Sequence, residues 1–544
     1  MAFPAKGTTH RPTPTGRRGM IACAHPLASL AGMRILMHGG NAIDAAVATA
    51  AALNVVEPYM SGIGGLGYMH IYSAAHREHK ILDYVGLTPH AAELSLYDDD
   101  AKQDRGPLSP LVPGACGGWL EALRRYGTMD AAAVFGPAIE YAEQGFAITV
   151  KNAEFIGSNV PDLRKYPSTA STYLIDGRSP QPGEVLIQKD LAETLRTVAA
   201  SGPEVFYAGH LADVIAAFMS ETGGLLSKQD LTEFKPVWLD PISIDYRGHR
   251  VFTPPLPCQA VQYLETLNIM EGFDVADMGH NTAATLHRFI EAARLSIADR
   301  AEYAAIENPP TAGLLSKEFA AARRSLIGER ARPGGGDTFT AAKMQDEILA
   351  GDPGAWMKSE CTTHFDALDD DGNAVAVTQS LGSGFGSAMV VPGTGVCLNN
   401  FMRWFDREPL SPNAIGPAKK NEMCMSPTQV WEGDSLRFLI GTPGSYGILQ
   451  TTPQMIMNII DHGMNIQAAI EAPRMTTGRG YSVNVEERID AAVLTQLEGM
   501  GHEFNPLGDW SAGVGGGQGI AIDGDTGSFM GGADPRRDGY ALGW

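Results

Sequence analysis

The chain has 544 residues, of which 44% are hydrophobic and 19% are charged, as in an ordinary soluble globular protein. Its formal net charge of −21 argues against nucleic acid or an anionic membrane surface as a partner. The six cysteines are scattered without CxxC spacing, so the sequence predicts neither a zinc site nor a disulfide framework, and we expect reduced thiols.

The N-terminal segment, residues 1–18, is rich in proline, threonine and basic residues and is interpreted as a flexible leader. It has no apolar core of the kind that a secretory signal needs. The longest apolar run, residues 45–56, is too short to span a bilayer. We therefore expect a cytoplasmic location and no membrane partner.

The next part of the chain is typical of helices that end at glycine or proline. Helices are predicted at residues 26–38, 42–56, 192–200, 211–221, 261–271 and 283–305, with two more within 112–147 on either side of Gly127. Strands are predicted at residues 19–24, 68–72 and 242–246. Residues 62–67 formally match GxGxxG, but a helix precedes them and a strand follows, which is not the dinucleotide-binding context. The polar, glycine-containing stretch 333–360 is the best linker.

The chain is organised around a predicted β-hairpin over residues 362–380, whose acidic turn carries glycine and asparagine. If Leu368 pairs with Ala374, Thr362 faces Ser380 at the open end. Period-two alternation separates polar from apolar side chains. The polar face comprises Thr362, His364, Thr378 and Ser380, and the apolar face comprises Phe365, Ala367, Val375 and Val377.

Taken alone, such a pattern is more commonly a surface hairpin with a solvated polar face. The acidic turn does not match an EF-hand, because Ala367 and Thr378 occupy the first ligand position and the bidentate glutamate position. No metal site is therefore predicted. His364 is interpreted as a packed, hydrogen-bonded histidine.

The run TTHFDALDDDGNAVAVTQS, residues 362–380, resembles the segment that begins the small subunit of γ-glutamyltranspeptidases. Other segments resemble the same family in the same order, namely residues 39–48, 61–67, 112–147, 395–400 (a strand and an Asn-Asn turn), 425–428, 441–445 and 534–536. The resemblance covers about residues 19–544. It implies an α+β fold of the N-terminal-nucleophile hydrolase class, a four-layer αββα sandwich that two autoprocessed subunits build as one composite domain.

In that family the precursor cuts itself immediately before the first threonine of the TTH motif. Here the cut would separate Cys361 from Thr362 and give a large-subunit part, residues 19–361, and a small-subunit part, residues 362–544. Residues 331–361 would be an exposed linker before the cut. Cleavage would create nucleophile and base together, because a free α-amine has a reference pKa of about 7.7–8.0 and is partly neutral at pH 7.

Residue by residue, Thr362 matches the nucleophile of the family, and Ser380 matches the hydroxyl residue that supports it. This agrees with the hairpin register. Gly444 and Ser445 match the paired backbone donors of the oxyanion hole, where a serine keeps the N–H that stabilises the developing charge. The resemblance implies no cofactor.

The residues with which the family binds the charged γ-glutamyl head, here called the γ-glutamyl grip, are missing from the matching positions. Val85 replaces the arginine that holds the substrate α-carboxylate, so no bidentate clamp is available there. Phe401 and Trp404, after Asn400 of the Asn-Asn turn, replace residues that hold the α-amine. Arg403 offers another anion contact. A zwitterionic head would meet an apolar wall, where an unpaired charge is costly.

Further positions of the acyl pocket depart from the family pattern. Gly382 replaces an asparagine, and Met423 and Cys424 replace a pair of serines. Residues 409–413 run directly into 414–417, without the lid insertion of many transpeptidases, so an open cleft would admit bulkier substrates. These departures resemble relatives such as cephalosporin acylases, oxamate amidohydrolases and poly-γ-glutamate depolymerases.

The sequence therefore predicts a self-processing γ-glutamyltransferase-like amide hydrolase or acyltransferase with a substrate other than glutathione. Two alternatives stay open, an ordinary glutathione hydrolase and a catalytically silent binding protein of the same fold. The expected partners are a small-molecule amide substrate and the two subunits of one precursor. The acyl group, the balance of hydrolysis against transfer, and homo-oligomerisation are left open.

Overall fold

The computed structural model describes residues 9–334, 360–478 and 480–544, and for Glu360 and Cys361 the backbone alone. The predicted linker 333–360 therefore lies almost entirely outside the described residues. Most strands belong to two antiparallel sheets of seven strands each. In chain order the strands are β1 (Thr15–Gly16), β2 (Gly19–Cys23), β3 (Leu66–Ser73), β4 (Glu78–Asp83), β5 (Phe146–Ala147), β6 (Val185–Leu186), β7 (Val237–Leu239), β8 (Ile242–Tyr246), β9 (His249–Thr253), β10 (Glu360–Asp369), β11 (Ala374–Ser383), β12 (Thr428–Glu432), β13 (Ser435–Gly441), β14 (Met475–Thr477), β15 (Ser482–Val485), β16 (Glu503–Pro506), β17 (Gln518–Ile522), β18 (Phe529–Ala533) and β19 (Tyr540–Gly543).

Helices occupy much of the remaining described chain. In chain order they are α1 (Pro26–Met37), α2 (Ala42–Val56), α3 (Asp100–Asp104), α4 (Ala115–Tyr126), α5 (Ala131–Gln144), α6 (Val150–Leu163), α7 (Pro167–Tyr173), α8 (Lys189–Ser201), α9 (Glu204–Tyr207), α10 (His210–Thr222), α11 (Lys228–Glu233), α12 (Val261–Met270), α13 (Val275–Met278), α14 (Ala283–Tyr303), α15 (Thr311–Leu314), α16 (Lys317–Arg324), α17 (Ile448–Ile460), α18 (Ile466–Glu471) and α19 (Ala491–Gly499). Short 3-10 helices lie at Leu94–Leu96, Phe401–Trp404, Ser445–Gly447 and Ala512–Val514.

The predicted hairpin is the pair β10 and β11 at the centre of one sheet, the hairpin sheet, whose strand order is β19-β2-β10-β11-β3-β4-β7. The second sheet has the order β1-β18-β17-β13-β12-β9-β8. Each sheet takes strands from both sides of Thr362. Neither predicted subunit part therefore holds a complete sheet on its own.

Hydrophobic clusters define four layers. One cluster packs α1, α2 and α5 against the outer face of the hairpin sheet through residues such as Phe365 and Val375. A smaller cluster between the sheets joins Met20 of β2 with Leu439 of β13 and Ile520 of β17. A further cluster packs α12, α14 and α17 against the second sheet. The order helix, sheet, sheet, helix confirms the predicted αββα sandwich.

The hairpin has the predicted register, in which Thr362 pairs with Ser380. Its apolar face packs against the helices, and its polar face packs against the second sheet. A Cβ added at Gly441 of β13 would lie only 2.3 Å from the ring of His364. Both faces are buried, so the interpretation as a solvated surface hairpin is wrong.

The predicted helices and strands before residue 306 are confirmed, most with bounds within two or three residues of those observed. Helix α2 begins with a capping box between Asn41 and Asp44, and every one of its residues is buried. The predicted strand at 395–400 is wrong, since this segment forms only an isolated bridge between Val390 and Cys397.

The five cysteine side chains that the structure describes are buried and free of disulfides, in agreement with the expected reduced state. Within the described ranges, no helix combines the length and the apolar character needed to cross a bilayer. The cytoplasmic location stays a prediction.

Candidate active site

Thr362 and Ser380 face each other at the open end of the hairpin, where both side chains are buried. The Thr362 hydroxyl donates a hydrogen bond to Ser380 Oγ over 3.3 Å. The same oxygen accepts a second hydrogen bond, 2.8 Å long, from the backbone N–H of Gly382. The serine is thereby held by its own strand in contact with the threonine hydroxyl.

A β-bulge interrupts the hairpin between Cys361 and Thr362, at the bond that is predicted to be cut. Thr362 pairs with Ser380 while Cys361 pairs with Gly382, so Leu381 is the extra residue. The Leu381 N–H donates to a carbonyl outside the hairpin. Bulges disrupt the ladder locally and recur beside active sites. The bond before Thr362 thus lies where strand pairing is irregular.

His364 lies two residues along β10, fully buried between the two sheets. Its Nδ1 is 2.8 Å from the hydroxyl oxygen of Thr378, and its Nε2 is 3.2 Å from a carboxylate oxygen of Asp366. Burial raises the pKa of Asp366, and the histidine opposes that rise. The histidine is packed and hydrogen-bonded on both ring nitrogens, as predicted.

The turn at Gly444 and Ser445 comes shortly after β13. Its φ angles are 133° and 52°, so a serine adopts a left-handed conformation that usually favours glycine. Within the described part of the chain, neither N–H group has a hydrogen-bond partner. The Thr442 hydroxyl holds the turn by accepting from the Gly516 N–H over 2.9 Å. The 3-10 helix that begins at Ser445 lies next to β10, so the turn is close to the hairpin.

A buried network of ion pairs around Asp534 holds the glycine loop next to this turn. The Asp534 carboxylate accepts hydrogen bonds from the Gly517 N–H at 2.9 Å and from Arg474 at 2.8 Å. Arg536 also pairs with Asp534, and it donates to Glu486 over 2.6 Å. Burial acts to raise the pKa of Asp534, but the two guanidinium groups together hold it below its usual value. The network fixes the glycine loop on which the turn rests.

Sequence reasoning did not identify Arg537 as a site residue. Its buried guanidinium donates a hydrogen bond to the backbone carbonyl of Thr362 over 3.0 Å. The buried carboxyl of Glu57, at the end of α2, interacts electrostatically with this guanidinium. The one sequence feature that could have pointed to Arg537 is its position directly after the family-like segment 534–536. Nothing in the sequence connects that segment to Thr362.

The apolar positions that were predicted to replace the γ-glutamyl grip all belong to one hydrophobic cluster. They are Val85, Phe401, Trp404, Met423 and Cys424. Each is at most 8% exposed, and the rings of Phe401 and Trp404 lie 4.7 Å apart between centroids. The structure therefore shows Phe401 and Trp404 in contact, and their role in an acyl pocket stays a prediction.

The Asn400 side chain forms hydrogen bonds within the protein. Its side-chain oxygen accepts from the Ser383 N–H over 2.8 Å, and its side-chain nitrogen donates to the Asp104 carbonyl over 2.6 Å. A Cβ at Gly382, where φ is 105°, would lie 2.1 Å from the Asn400 oxygen. Glycine at 382 is thus required by the position of Asn400, which links the end of β11 to α3.

Arg403, expected to offer an anion contact, is neutralised in the structure. It forms a 2.9 Å salt bridge with Asp104 and donates to the Ser383 hydroxyl. Its guanidinium also lies 5.1 Å from the ring centroid of Trp404. A substrate anion would therefore compete with Asp104, a residue that the sequence did not single out.

A second buried guanidinium, that of Arg300 on α14, lies close to the same wall. It donates to Gln259 over 2.7 Å, lies 3.9 Å from a carboxylate oxygen of Glu422, and stacks 4.7 Å from the ring centroid of Tyr446. Burial raises the pKa of Glu422 to about 7. Arg300 thus contacts the sequence neighbours of Met423 and Ser445, namely Glu422 and Tyr446.

A buried cluster of His287, Glu291 and His502 has the residue types of a metal site. His287 donates through Nε2 to the Gly328 carbonyl at 2.9 Å, which makes its Nδ1 an acceptor for His502 Nε2 at 2.9 Å. Arg294 lies 3.0 Å from Glu291 and 3.5 Å from His502 Nδ1. A cation here would face this guanidinium, so the cluster is better described as a hydrogen-bond relay.

An αββα sandwich with a buried threonine at the end of a central strand is the fold of N-terminal-nucleophile hydrolases. A family model described as Gamma-glutamyltranspeptidase matches residues 28–544. The chain therefore belongs to the γ-glutamyltranspeptidase family, a family of amide-hydrolysing enzymes.

Similar proteins within this family carry different names. The chain is 38% identical to Acylase ACY 1 proenzyme of Pseudomonas sp. (strain V22), over 91% of this chain and 89% of the relative. It is 34% identical to a glutathione hydrolase proenzyme of Bacillus subtilis (strain 168), over 97% of this chain and 92% of the relative. The crystal structure of a cephalosporin acylase from Bacillus halodurans superposes with a TM-score of 0.89 and 35% identity, over 99% and 98% of the two chains.

Proposed function

We propose that this protein is a self-processing acylase in which Thr362 is the nucleophile and the acyl group is not γ-glutamyl. The observation that carries the proposal is the buried Thr362–Ser380 hydroxyl pair, which lies at a bulge in the hairpin. The unpartnered N–H groups of Gly444 and Ser445 supply the second requirement, an oxyanion hole.

Processing would begin with attack of the Thr362 hydroxyl oxygen on the carbonyl carbon of Cys361. The peptide C–N bond breaks, the hydroxyl proton passes to the nitrogen, which becomes the α-amine of Thr362, and an ester joins Cys361 to the Thr362 oxygen. Water then hydrolyses the ester, which leaves a carboxylate on Cys361 and frees both the hydroxyl and the α-amine of Thr362. The irregular pairing at the bulge favours this step, because less of the ladder has to be broken.

In turnover, the freed amine accepts the hydroxyl proton while the oxygen attacks the amide carbonyl of the substrate. The negative charge that develops on the carbonyl oxygen is stabilised by the N–H groups of Gly444 and Ser445. The proton passes to the departing amine, leaving an acyl ester on Thr362. Water, or an acceptor amine, resolves this ester. Ser380 orients the attacking hydroxyl through their hydrogen bond.

The acyl group follows from the composition of the wall. Val85, Phe401 and Trp404 provide no partner for an α-carboxylate or an α-amine, and Arg403 is already paired with Asp104. A buried charge without a partner is strongly disfavoured. We therefore favour acyl chains that carry fewer charges than γ-glutamyl, such as glutaryl, which keeps the carboxylate but has no α-amine. The similarity to Acylase ACY 1 supports this choice, while the similarity to glutathione hydrolase keeps that activity as the alternative.

Matched glutaryl and γ-glutamyl anilides test the choice of acyl group. The two compounds differ by one charge, the α-amine, and a missing charge contact is worth roughly 2–5 kcal/mol, so kcat/KM for the glutaryl compound is expected to be at least about tenfold higher, even after partial solvation. Val85→Arg supplies a bidentate clamp for the carboxylate that both acyl groups carry, so it should raise kcat/KM for both compounds, and Val85→Lys, the matched control, should raise it less. A clear γ-glutamyl preference of the unmodified enzyme would contradict the proposal and favour a glutathione hydrolase.

A further inference from the structure

Arg537 connects the nucleophile to the oxyanion turn. Its guanidinium donates to the Thr362 carbonyl over 3.0 Å, and both residues are buried. Its aliphatic stem lies against Gly516, where an added Cβ would come within 2.8 Å of the Arg537 Cδ. The Gly516 N–H in turn holds Thr442 at the base of the turn. One side chain thus contacts Thr362 directly and reaches the oxyanion turn through Gly516 and Thr442.

The guanidinium is also close to the position of the future amine. Covalent geometry keeps the nitrogen of a residue within about 4 Å of its own carbonyl oxygen. The Arg537 guanidinium therefore lies within about 7 Å of the Thr362 nitrogen, which cleavage would convert to a free amine. A cation near an amine disfavours the protonated form of that amine.

Resting on the proposed role of Thr362 as nucleophile, we propose that Arg537 is a positioning residue that keeps the N-terminal amine of Thr362 in its neutral, proton-accepting form. It does so by placing a buried positive charge beside that amine, while its hydrogen bond fixes the Thr362 backbone. Glu57 opposes this effect, because its negative charge, when ionised, offsets the positive charge of Arg537 at the amine.

The charged and titratable groups around Arg537 are few in the described structure. Glu57 and Tyr59 face it from the end of α2, Asp538 follows it in sequence, and Cys23 of β2 interacts with Glu57. Burial raises the pKa of Glu57 to about 7, against the attraction of Arg537. Burial also raises the pKa of Asp538. Around neutral pH Glu57 is partly protonated, so Arg537 is then only partly compensated.

The test is the pH dependence of kcat/KM of the cleaved enzyme, since its acidic limb reports the pKa of the free base. Arg537→Gln should move the midpoint of this limb up by about one pH unit. Below the midpoint kcat/KM should then fall roughly tenfold, and on the alkaline plateau it should change little. Arg537→Lys keeps the charge and should restore most of the acidic limb. Glu57→Gln should move the midpoint the opposite way, by less than a unit, because Glu57 is already partly protonated there.

Arg288→Gln on α14 is the matched control and should leave the midpoint unchanged. A loss that is equal at every pH, or shifts of the same sign in Arg537→Gln and Glu57→Gln, would show a merely structural role and overturn the inference. If Arg537→Gln remains uncut, the other two variants test the inference. A lower midpoint in Glu57→Gln and a retained acidic limb in Arg537→Lys would support it, and the absence of either would overturn it. Failure of the unmodified chain to be cleaved would instead refute the proposed function.

Discussion

At the scale of single residues, the strand register places the Ser380 hydroxyl in hydrogen-bond contact with the proposed nucleophile, Thr362. Ser380→Ala removes the hydroxyl that accepts from Thr362 and leaves the strand pairing intact. A lost hydrogen bond to a buried group costs about 1–3 kcal/mol, so kcat should fall by about ten- to a hundredfold. The melting temperature should fall moderately, because the buried N–H of Gly382 also loses its acceptor, and the larger effect is expected on kcat.

Steady-state kinetics and thermal unfolding of the cleaved variant check this prediction. Ser296→Ala is a matched control, because Ser296 is also buried and, among the described residues, its hydroxyl bonds only a carbonyl of its own helix. It should change neither rate nor processing. Unchanged turnover in Ser380→Ala would mean that its hydroxyl does not support the nucleophile.

The site residues that could be predicted from sequence are those whose spatial neighbours lie close in the chain, within one hairpin. Thr362 and Ser380 lie on one hairpin, and period two with a short turn determines that they meet. Arg537 and Asp104 could not be predicted, since their contacts with Thr362 and Asn400 join residues 175 and 296 positions apart. Such contacts depend on the packing of both sheets and leave no periodic pattern.

At the scale of elements, the end of β11 depends on a glycine. Gly382→Ala would place a Cβ 2.1 Å from the Asn400 side-chain oxygen at a φ of 105°. The expected result is a loss of stability of about 1–3 kcal/mol and a larger loss of activity, because Gly382 also donates to Ser380.

Gly393→Ala is the control for backbone strain alone, as φ is 70° there and no atom lies within 4 Å of the added Cβ. Chemical denaturation of both variants separates the steric effect from the conformational one. Equal destabilisation of the two variants would contradict the role assigned to Asn400.

Elements were predicted well where their pattern is long and local. Helix α2, with its capping residue and alanine-rich run, was predicted with both ends correct. Strands β12, β13 and β17 of the second sheet were not predicted, since most of their residues are buried and no clear alternation marks them. Strands β12 and β13 form a hairpin, whereas β17 joins β13 from a distant part of the sequence. The strand at residues 395–400 was predicted from the family resemblance, but this segment forms only the isolated bridge between Val390 and Cys397.

At the scale of the whole molecule, the network around Asp534 joins elements that follow the predicted cut. Asp534→Asn leaves Arg474 and Arg536 undercompensated in the core, at a cost of about 3–5 kcal/mol near pH 7. The pKa of Asp534 is lowered in the folded state, so its contribution is fully present above the unfolded pKa of about 3.9 and is lost as the pH falls.

Thermal unfolding between pH 7 and pH 3 measures this dependence. The gap in melting temperature between the unmodified protein and Asp534→Asn should be largest near pH 7 and should narrow below pH 4. Asp130→Asn is the control, because Asp130 is an exposed helix cap whose function asparagine retains. A gap that is constant with pH would show that the loss is not electrostatic.

Both sheets combine strands from either side of Thr362, so the two chains of a cleaved protein would remain associated under native conditions. The most direct test of the account is therefore the intact mass of the purified protein under denaturing conditions. We expect two chains, of 361 residues and of the remaining 183 (544 − 361), the shorter one beginning at Thr362. Thr362→Ala should give one chain of 544 residues. A single uncut chain from the unmodified protein would contradict the assignment of Thr362 as an N-terminal nucleophile.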